Sequence, residues 1–219
     1  MAHGTVKLTC DIETFGGANQ PTREDVKVPG NYKDPKTIAN FIERELPGLY
    51  NKQALLSLKG EIACIGVALE EEPAEVLYRN GPEGELMQRF EQWLTDKGIT
   101  HLTQVHWVGG NIDGFDLPYL LHRAWKYNLD LLQAIIPTKR YDDHIVDILR
   151  IFAGTDNQAR HSVDGVAKFL GLAGKTGLPS ADVPQAYTDG RHEEIEARCA
   201  EDVEVERAIA KKLQPWMWI

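Results

Sequence analysis

Val6-Lys7-Leu8-Thr9-Cys10-Asp11-Ile12-Glu13-Thr14-Phe15-Gly16-Gly17 is the stretch whose reading decides the fold. Apolar and polar positions alternate from Val6 to Ile12, which predicts a β-strand, and the two glycines close it. Asp11 and Glu13 stand two residues apart, so in a strand their side chains project to the same face. Two adjacent carboxylates repel unless a cation lies between them. A strand with one polar face gives the same spacing, so the pair alone leaves both readings open.

Outward from this strand, Glu61–Glu70 and Ala74–Tyr78 read as strands joined by the turn Glu70-Glu71-Glu72-Pro73. Gly84–Lys97 is an amphipathic helix with Leu86, Phe90, Trp93 and Leu94 inward. Gln104–Val108 is a strand, and Phe115–Tyr127 a helix with Pro118 in its first turn, where the missing donor is harmless. Ile145–Phe152 fits strand or helix. Ser162–Leu170 is a short helix capped by Ser162 and ended by Gly171. His192–Leu213 is a long one, with Ile195, Cys199, Asp202, Ile209 and Leu213 near one stripe. This order implies an α/β sheet with helices packed on it. Residues 18–58, punctuated by Pro21, Pro29, Pro35 and Pro47, read as an insertion over the main fold, with a short helix from Asp34-Pro35 to Glu45.

The 219 residues fit one domain with an insertion, at about 150 residues per domain. A hydrophobic content of 42% and a charged content of 26% exclude disorder, collagen and coiled coil as the whole story. Three scattered cysteines, Cys10, Cys64 and Cys199, and a start without a basic or apolar leader lead us to expect a soluble, reduced, cytoplasmic protein. The longest nearly apolar run, Ile62–Leu69, is far short of the roughly 20 residues of a membrane span, so no membrane partner is expected. A net charge of −9 opposes a nucleic-acid coat protein. It does not oppose an enzyme whose acidic site holds cations.

Two further segments carry acids. Gly110-Asn111-Ile112-Asp113-Gly114-Phe115-Asp116-Leu117-Pro118 reads as a tight strand-to-helix turn that puts Asp116 in the first helical turn. The helix dipole and capping also favour an acid there. Asp113 reads as a turn residue. In Arg198-Cys199-Ala200-Glu201-Asp202-Val203, Asp202 lies on or beside the apolar stripe. A half-buried acid needs a partner, and a metal ion is one. Glu193, Glu194, Glu196, Glu201, Glu204 and Glu206 read as exposed surface.

Taken together, Asp11 with Glu13, then Asp116, then Asp202 resemble the three motifs of the DEDD superfamily, the DnaQ-like 3′-5′ exonucleases on a ribonuclease H-like fold. The segment Ser162-Val163-Asp164-Gly165-Val166-Ala167-Lys168-Phe169-Leu170-Gly171-Leu172, with Cys199-x-x-Asp202-Val203, is similar to the DNA polymerase B-like proofreading branch. The 18–58 segment resembles an insert of phage-encoded members. The resemblance implies an α/β, ribonuclease H-like central mixed β-sheet flanked by helices, in one domain spanning residues 1–219. It implies metal-dependent hydrolysis of nucleic acid from the 3′ end, DNA rather than RNA, releasing nucleoside 5′-monophosphates. Asp11, bridging, with Glu13, Asp116 and Asp202 would hold two divalent ions roughly 3.5–4 Å apart. Oxygen ligands select Mg²⁺ or Mn²⁺.

On the substrate side, Thr14, Phe15, Asn111 and Arg198 are the candidates for binding a single strand or a DNA 3′ end. Phe15 would stack on a terminal base or pack under the insertion. Lys139, Arg140, Arg160, Lys168 and Lys175 are available to a nucleic-acid backbone or simply solvated, and Trp216 and Trp218 would close the core or meet a partner. Gly171-x-x-Gly174-Lys175-Thr176 ends like a phosphate-binding loop, but its first glycine is too close and it follows a helix, so it reads as a helix-ending turn.

The chain departs from the family pattern at one place. Arg198 stands four residues before Asp202, where the proofreading branch has tyrosine, and Ala197 stands where the sister branch has histidine. A guanidinium cannot serve as a general base. It can bind the scissile phosphate, or pair with Asp202 and compete with a metal. Losing general-base help costs about 10²–10⁴ in rate, which slows an enzyme without abolishing it. His192 or His161 would be a substitute base, or a surface or packing residue. Two other readings follow: a nucleic-acid-binding module that has lost catalysis, and an oligoribonuclease-type enzyme on short RNA.

Overall fold

The computed structural model describes residues 4–156 and 161–213, so Arg160, Trp216 and Trp218 fall outside it. Five strands form one sheet: β1 (Thr5–Phe15), β2 (Glu61–Leu69), β3 (Glu75–Tyr78), β4 (Gln104–Gly109) and β5 (Ile145–Asp147), in the order β3-β2-β1-β4-β5. β1 runs antiparallel to β2 and parallel to β4, and β4 runs parallel to β5, giving the expected mixed sheet. Pairing of β1 with β4 ends at Thr9 opposite Val108. Asp11 and Glu13 therefore extend past the carboxyl end of β4, where ligands bind in open α/β sheets.

Alternation along β1 divides the two faces of the sheet. Leu8, Cys10 and Ile12 enter the larger core with Trp107, Leu86 and Phe90 of α2 (Glu83–Asp96), and Leu117 and Leu120 of α3 (Asp116–Tyr127). The opposite face is covered by α6 (Val163–Phe169) and α8 (His192–Leu213), through Val108, Val163, Val166 and Ile209. Gly66, opposite Asp11 in β2, permits this cover. A Cβ there would lie 2.8 Å from both Cys199 Sγ and Val203 Cγ2, so only glycine lets α8 come down onto the strands.

The structure corrects several expectations. The helix of the 18–58 segment, α1 (Pro35–Ala54), runs through Pro47 instead of stopping at Glu45. Its far end is anchored by packing: Tyr50 lies over Gly16, and the Ala54 carbonyl accepts Thr14 Oγ1 at 2.8 Å and the Tyr119 hydroxyl at 3.3 Å. These contacts outweigh the one helix bond that proline removes. Ile145–Phe152 is neither strand nor helix alone: β5 ends at Asp147, whose carboxylate caps α5 (Ile148–Ala153). Two short helices, α4 (Asp130–Ile135) and α7 (Val183–Thr188), carry too few turns for a periodic signal. Among the described residues, no helix is long and apolar enough to cross a membrane.

Candidate active site

Alternation in β1 turns Asp11 and Glu13 to the α8 face, where Asp202 descends from the helix. One carboxylate oxygen from each of the three lies within 4.8 Å of the others. Asp116, the fourth expected ligand, stands outside this group of three. Its Oδ1 accepts the Ile12 amide at 3.0 Å, which fixes the start of α3 against β1, and it lines the same cavity of about 560 Å³ as Asp11 and Glu13. Asp202 is 1% exposed, and its Oδ1 has no hydrogen-bond partner.

Two oxygens of this centre, Glu13 Oε1 and Asp202 Oδ2, are already taken by cations. Arg198 Nε donates to Glu13 Oε1 at 2.5 Å and its Nη2 to Asp202 Oδ2 at 2.8 Å, while Nη1 holds the Leu178 carbonyl at 2.5 Å. Lys175 Nζ lies 2.9 Å from the same Asp202 Oδ2. The helix-ending turn after α6 is confirmed at Gly171, where φ is +71°. Lys175 beyond it is not a surface residue. Asp164 accepts the Lys175 amide at 2.9 Å, and Glu201 accepts the amides of Thr176 and Gly177 at 2.9 and 3.0 Å. These two acids clip the loop to α6 and α8 and deliver Lys175 to the site, so Glu201 is a structural acceptor, not idle surface.

Glu206 also departs from the surface reading. It lies one helical turn after Asp202, is 1% exposed, and its Oε2 has no partner. Helical spacing was the signal that could have found it, since positions four apart share a face. Burial pushes the Glu206 carboxyl well up, against the pull of Lys175. Burial likewise raises Asp11, although it is only half-buried, and Glu206, Glu13, Asp116 and Asp202 add to the rise. Burial lifts Glu13 to about 7 against the opposing Arg198 guanidinium. Asp116 is raised by burial against the hydrogen bond from Ile12. Against the burial that opposes its charge, Lys175 is raised by Asp202 and Glu206. Five carboxylates against two cations leave three negative charges uncompensated when all are ionised.

The remaining candidates separate clearly. Thr14 lines the cavity, but its hydroxyl is bound to the Ala54 carbonyl. Asn111 is exposed at φ +62° and lines it too, its amide donating to Asp147 Oδ1 at 3.1 Å. Phe15 is 5% exposed and stacks on Tyr187 with centroids 3.8 Å apart, so its ring is committed to holding α7 and is not free for a base. His192 Nδ1 lies 2.6 Å from the Tyr78 hydroxyl, and His161 packs edge-on against Phe152, so neither stands in for the missing tyrosine. Asp113 is more than a turn residue: it is buried and pairs with Arg150. The 18–58 segment does not merely lie over the fold, because Gly48, Asn51, Lys52 and Leu55 form one wall of the cavity.

Comparison with curated proteins gives no match. Residues 68–205 match a family described as predicted 3′-5′ exonuclease related to the exonuclease domain of PolB. The chain belongs to this family. The matched span holds Asp116, Arg198 and Asp202, and begins after Asp11 and Glu13. The structure is similar to that of the family B DNA polymerase from the hyperthermophilic archaeon Pyrobaculum calidifontis, with a TM-score of 0.63 at 18% identity over 97% of this chain. The chain spans 25% of that polymerase. At this identity the likeness is one of fold, and it establishes the ribonuclease H-like mixed sheet with flanking helices.

Proposed function

We propose that this member of the family is a divalent-metal-dependent 3′-5′ exonuclease, favouring DNA and releasing nucleoside 5′-monophosphates. The observation that carries the reading is the convergence of Asp11, Glu13 and Asp202 within 4.8 Å beside Asp202 Oδ1, a buried acceptor without a partner. An all-oxygen donor set with residual negative charge fits Mg²⁺ or Mn²⁺. Asp11, Glu13, Asp116 and Asp202 would hold two such ions, with Glu206 adding charge behind them. When bound, the ions supply Lewis acidity for attack at phosphorus and for departure of the 3′ oxygen.

The chain's own groups do the rest. Asn111, with Asn51 and Lys52 of α1, lines the approach to the carboxylates and positions the terminal nucleotide. Arg198 cannot take a proton from water, but its N–H groups can turn from Glu13 to a phosphate oxygen.

Arg198 also supports a second reading, a nucleic-acid-binding module with a dormant site, because it holds two of the proposed ligands. A time course on a 5′-labelled single-stranded DNA oligonucleotide, with Mg²⁺, Mn²⁺ or EDTA, tests both, alongside Arg198→Tyr and a matched RNA. The proposal expects a metal-dependent ladder shortening from the 3′ end. Cleavage only by Arg198→Tyr would establish the dormant site, and silence from both proteins would overturn the nuclease reading.

A further inference from the structure

A second cavity, of about 670 Å³, adjoins the carboxylate site, and Asn111 lines both. Its distinctive feature is Tyr141, which is 61% exposed and held at φ +62°. That backbone conformation is costly for a bulky residue and persists only where surrounding contacts enforce it. Asp113 enforces it: its Oδ2 accepts the Tyr141 amide at 3.1 Å and also pairs with Arg150. The Arg150 guanidinium sits 5.1 Å from the centroid of the Tyr141 ring, and Arg140 sits 5.1 Å from it too. Arg150 is spent on Asp113 and the Ile145 carbonyl. Arg140 is exposed, and no carboxylate among the described residues pairs with it. The acids of this cavity are largely spoken for: Asp113 by Arg150, and Asp147 by the amides of Asn111, Asp113, Leu149 and Arg150. Asp156 lies at its rim and is engaged by a neighbour. The outcome is an outward guanidinium, propped on an aromatic ring, beside a loop that reaches the carboxylates.

We propose that this cavity is the path of the single strand upstream of the nucleotide being removed, with Arg140 gripping a backbone phosphate and Tyr141 holding Arg140 in place. The inference rests on the nuclease reading only for its direction, since a 3′ end at Asp11 must leave the rest of its strand outside. A guanidinium presents donors in the geometry that phosphate oxygens accept. Its position matters more in a chain of net charge −9, where few surfaces attract a polyanion. Tyr141 contributes by position, through Arg140.

The test is fluorescence anisotropy of a labelled single-stranded DNA oligonucleotide in EDTA, where no cleavage occurs, with the natural protein, Arg140→Ala and Tyr141→Gly. Glycine accepts the left-handed backbone, so Tyr141→Gly should melt no lower than the natural protein. Both variants should bind the long strand several-fold more weakly. The slope of log affinity against log salt should fall by about 0.7 for the lost phosphate contact. Binding of a competing dinucleotide should be unchanged.

Equal binding of the long strand by all three proteins would overturn the proposal, as would failure of the natural protein to bind it. An equal loss of dinucleotide and long-strand binding would also overturn it, marking the cavity as a site for a free nucleotide. Cleavage in Mn²⁺ is read separately. Binding that depends on Arg140 without cleavage by the natural protein or Arg198→Tyr sinks the nuclease reading alone, and cleavage with unaltered binding sinks the strand path alone.

Discussion

Arg198 reaches down from α8 to Glu13 of β1, 185 residues earlier in the chain, and donates from Nε to Oε1 at 2.5 Å. Both side chains are less than a tenth exposed, so this is a buried charge pair. Breaking such a pair from one side leaves an uncompensated charge and costs far more than the pair's net worth. The same guanidinium contacts Asp202, so one side chain neutralises part of a site whose acids would otherwise repel each other.

Replacing Arg198 should therefore separate metal affinity from stability. In EDTA, Arg198→Met should lose about 3–5 kcal/mol, the usual cost of orphaning a buried charge, and Mg²⁺ or Mn²⁺ should restore much of it. Arg198→Tyr should bind Mn²⁺ more tightly, read by the free-ion signal in electron paramagnetic resonance. It should also cleave at least about 10²-fold faster, the lower end of what general-base help supplies. Equal Mn²⁺ affinity in the natural protein and Arg198→Tyr would show that the guanidinium does not compete with metal.

The raised carboxyls set the pH dependence of the metal-free protein. Glu13 titrates near 7 when folded, above its ordinary value of 4.5, so between these values the folded state holds a proton that the unfolded state has released. On account of Glu13, stability must then fall as pH rises through this window. Asp11, Asp116 and Glu206 are shifted in the same direction and deepen the fall. Ions that bind deprotonated carboxylates should stabilise the protein more as pH rises. Thermal melts in EDTA and in Mg²⁺ across this range give the check. A metal-free protein that gains stability toward neutral pH would contradict the burial of these groups as charges.

Much of this site was legible in sequence because it follows from short periods. The two-residue period put Asp11 with Glu13, and the position of Asp202 near the apolar stripe brought it inward. Glu206 obeys the same helical rule, but a run of glutamates in one helix reads as a solvated face until the packing of each position is known. Lys175 was not legible as a partner of Asp202, because its placement depends on Asp164 and Glu201 clipping a loop from two different helices. Asp147 hid at the junction of a strand and a helix, where neither period persists long enough to register.

Gly66 sets the height of α8 above the sheet and thereby of Arg198 and Asp202. Gly66→Ala would place a methyl 2.8 Å from Cys199 Sγ and Val203 Cγ2. Overpacking of this kind costs about 1–3 kcal/mol. A shift of about 1 Å at the reacting groups can cost on the order of 10²-fold in rate. Adding Cys199→Ala removes one of the two nearest atoms and should recover part of both losses. A double variant no better than Gly66→Ala would show that the helix height is set elsewhere.

Asp11 and Asp116 should respond to substitution in opposite ways. Asp11→Asn removes a charge that burial and four neighbouring acids oppose, so the metal-free protein should melt higher even as cleavage disappears. Asp116→Ala removes the acceptor of the Ile12 amide, which then lies buried and unpaired at a cost of about 1–3 kcal/mol. Asp116→Asn keeps an acceptor oxygen, so it should lose cleavage with less loss of stability. Melting in EDTA, with cleavage measured in Mn²⁺, distinguishes the two roles. Undiminished cleavage by Asp11→Asn would remove Asp11 from the catalytic set, whatever its effect on melting.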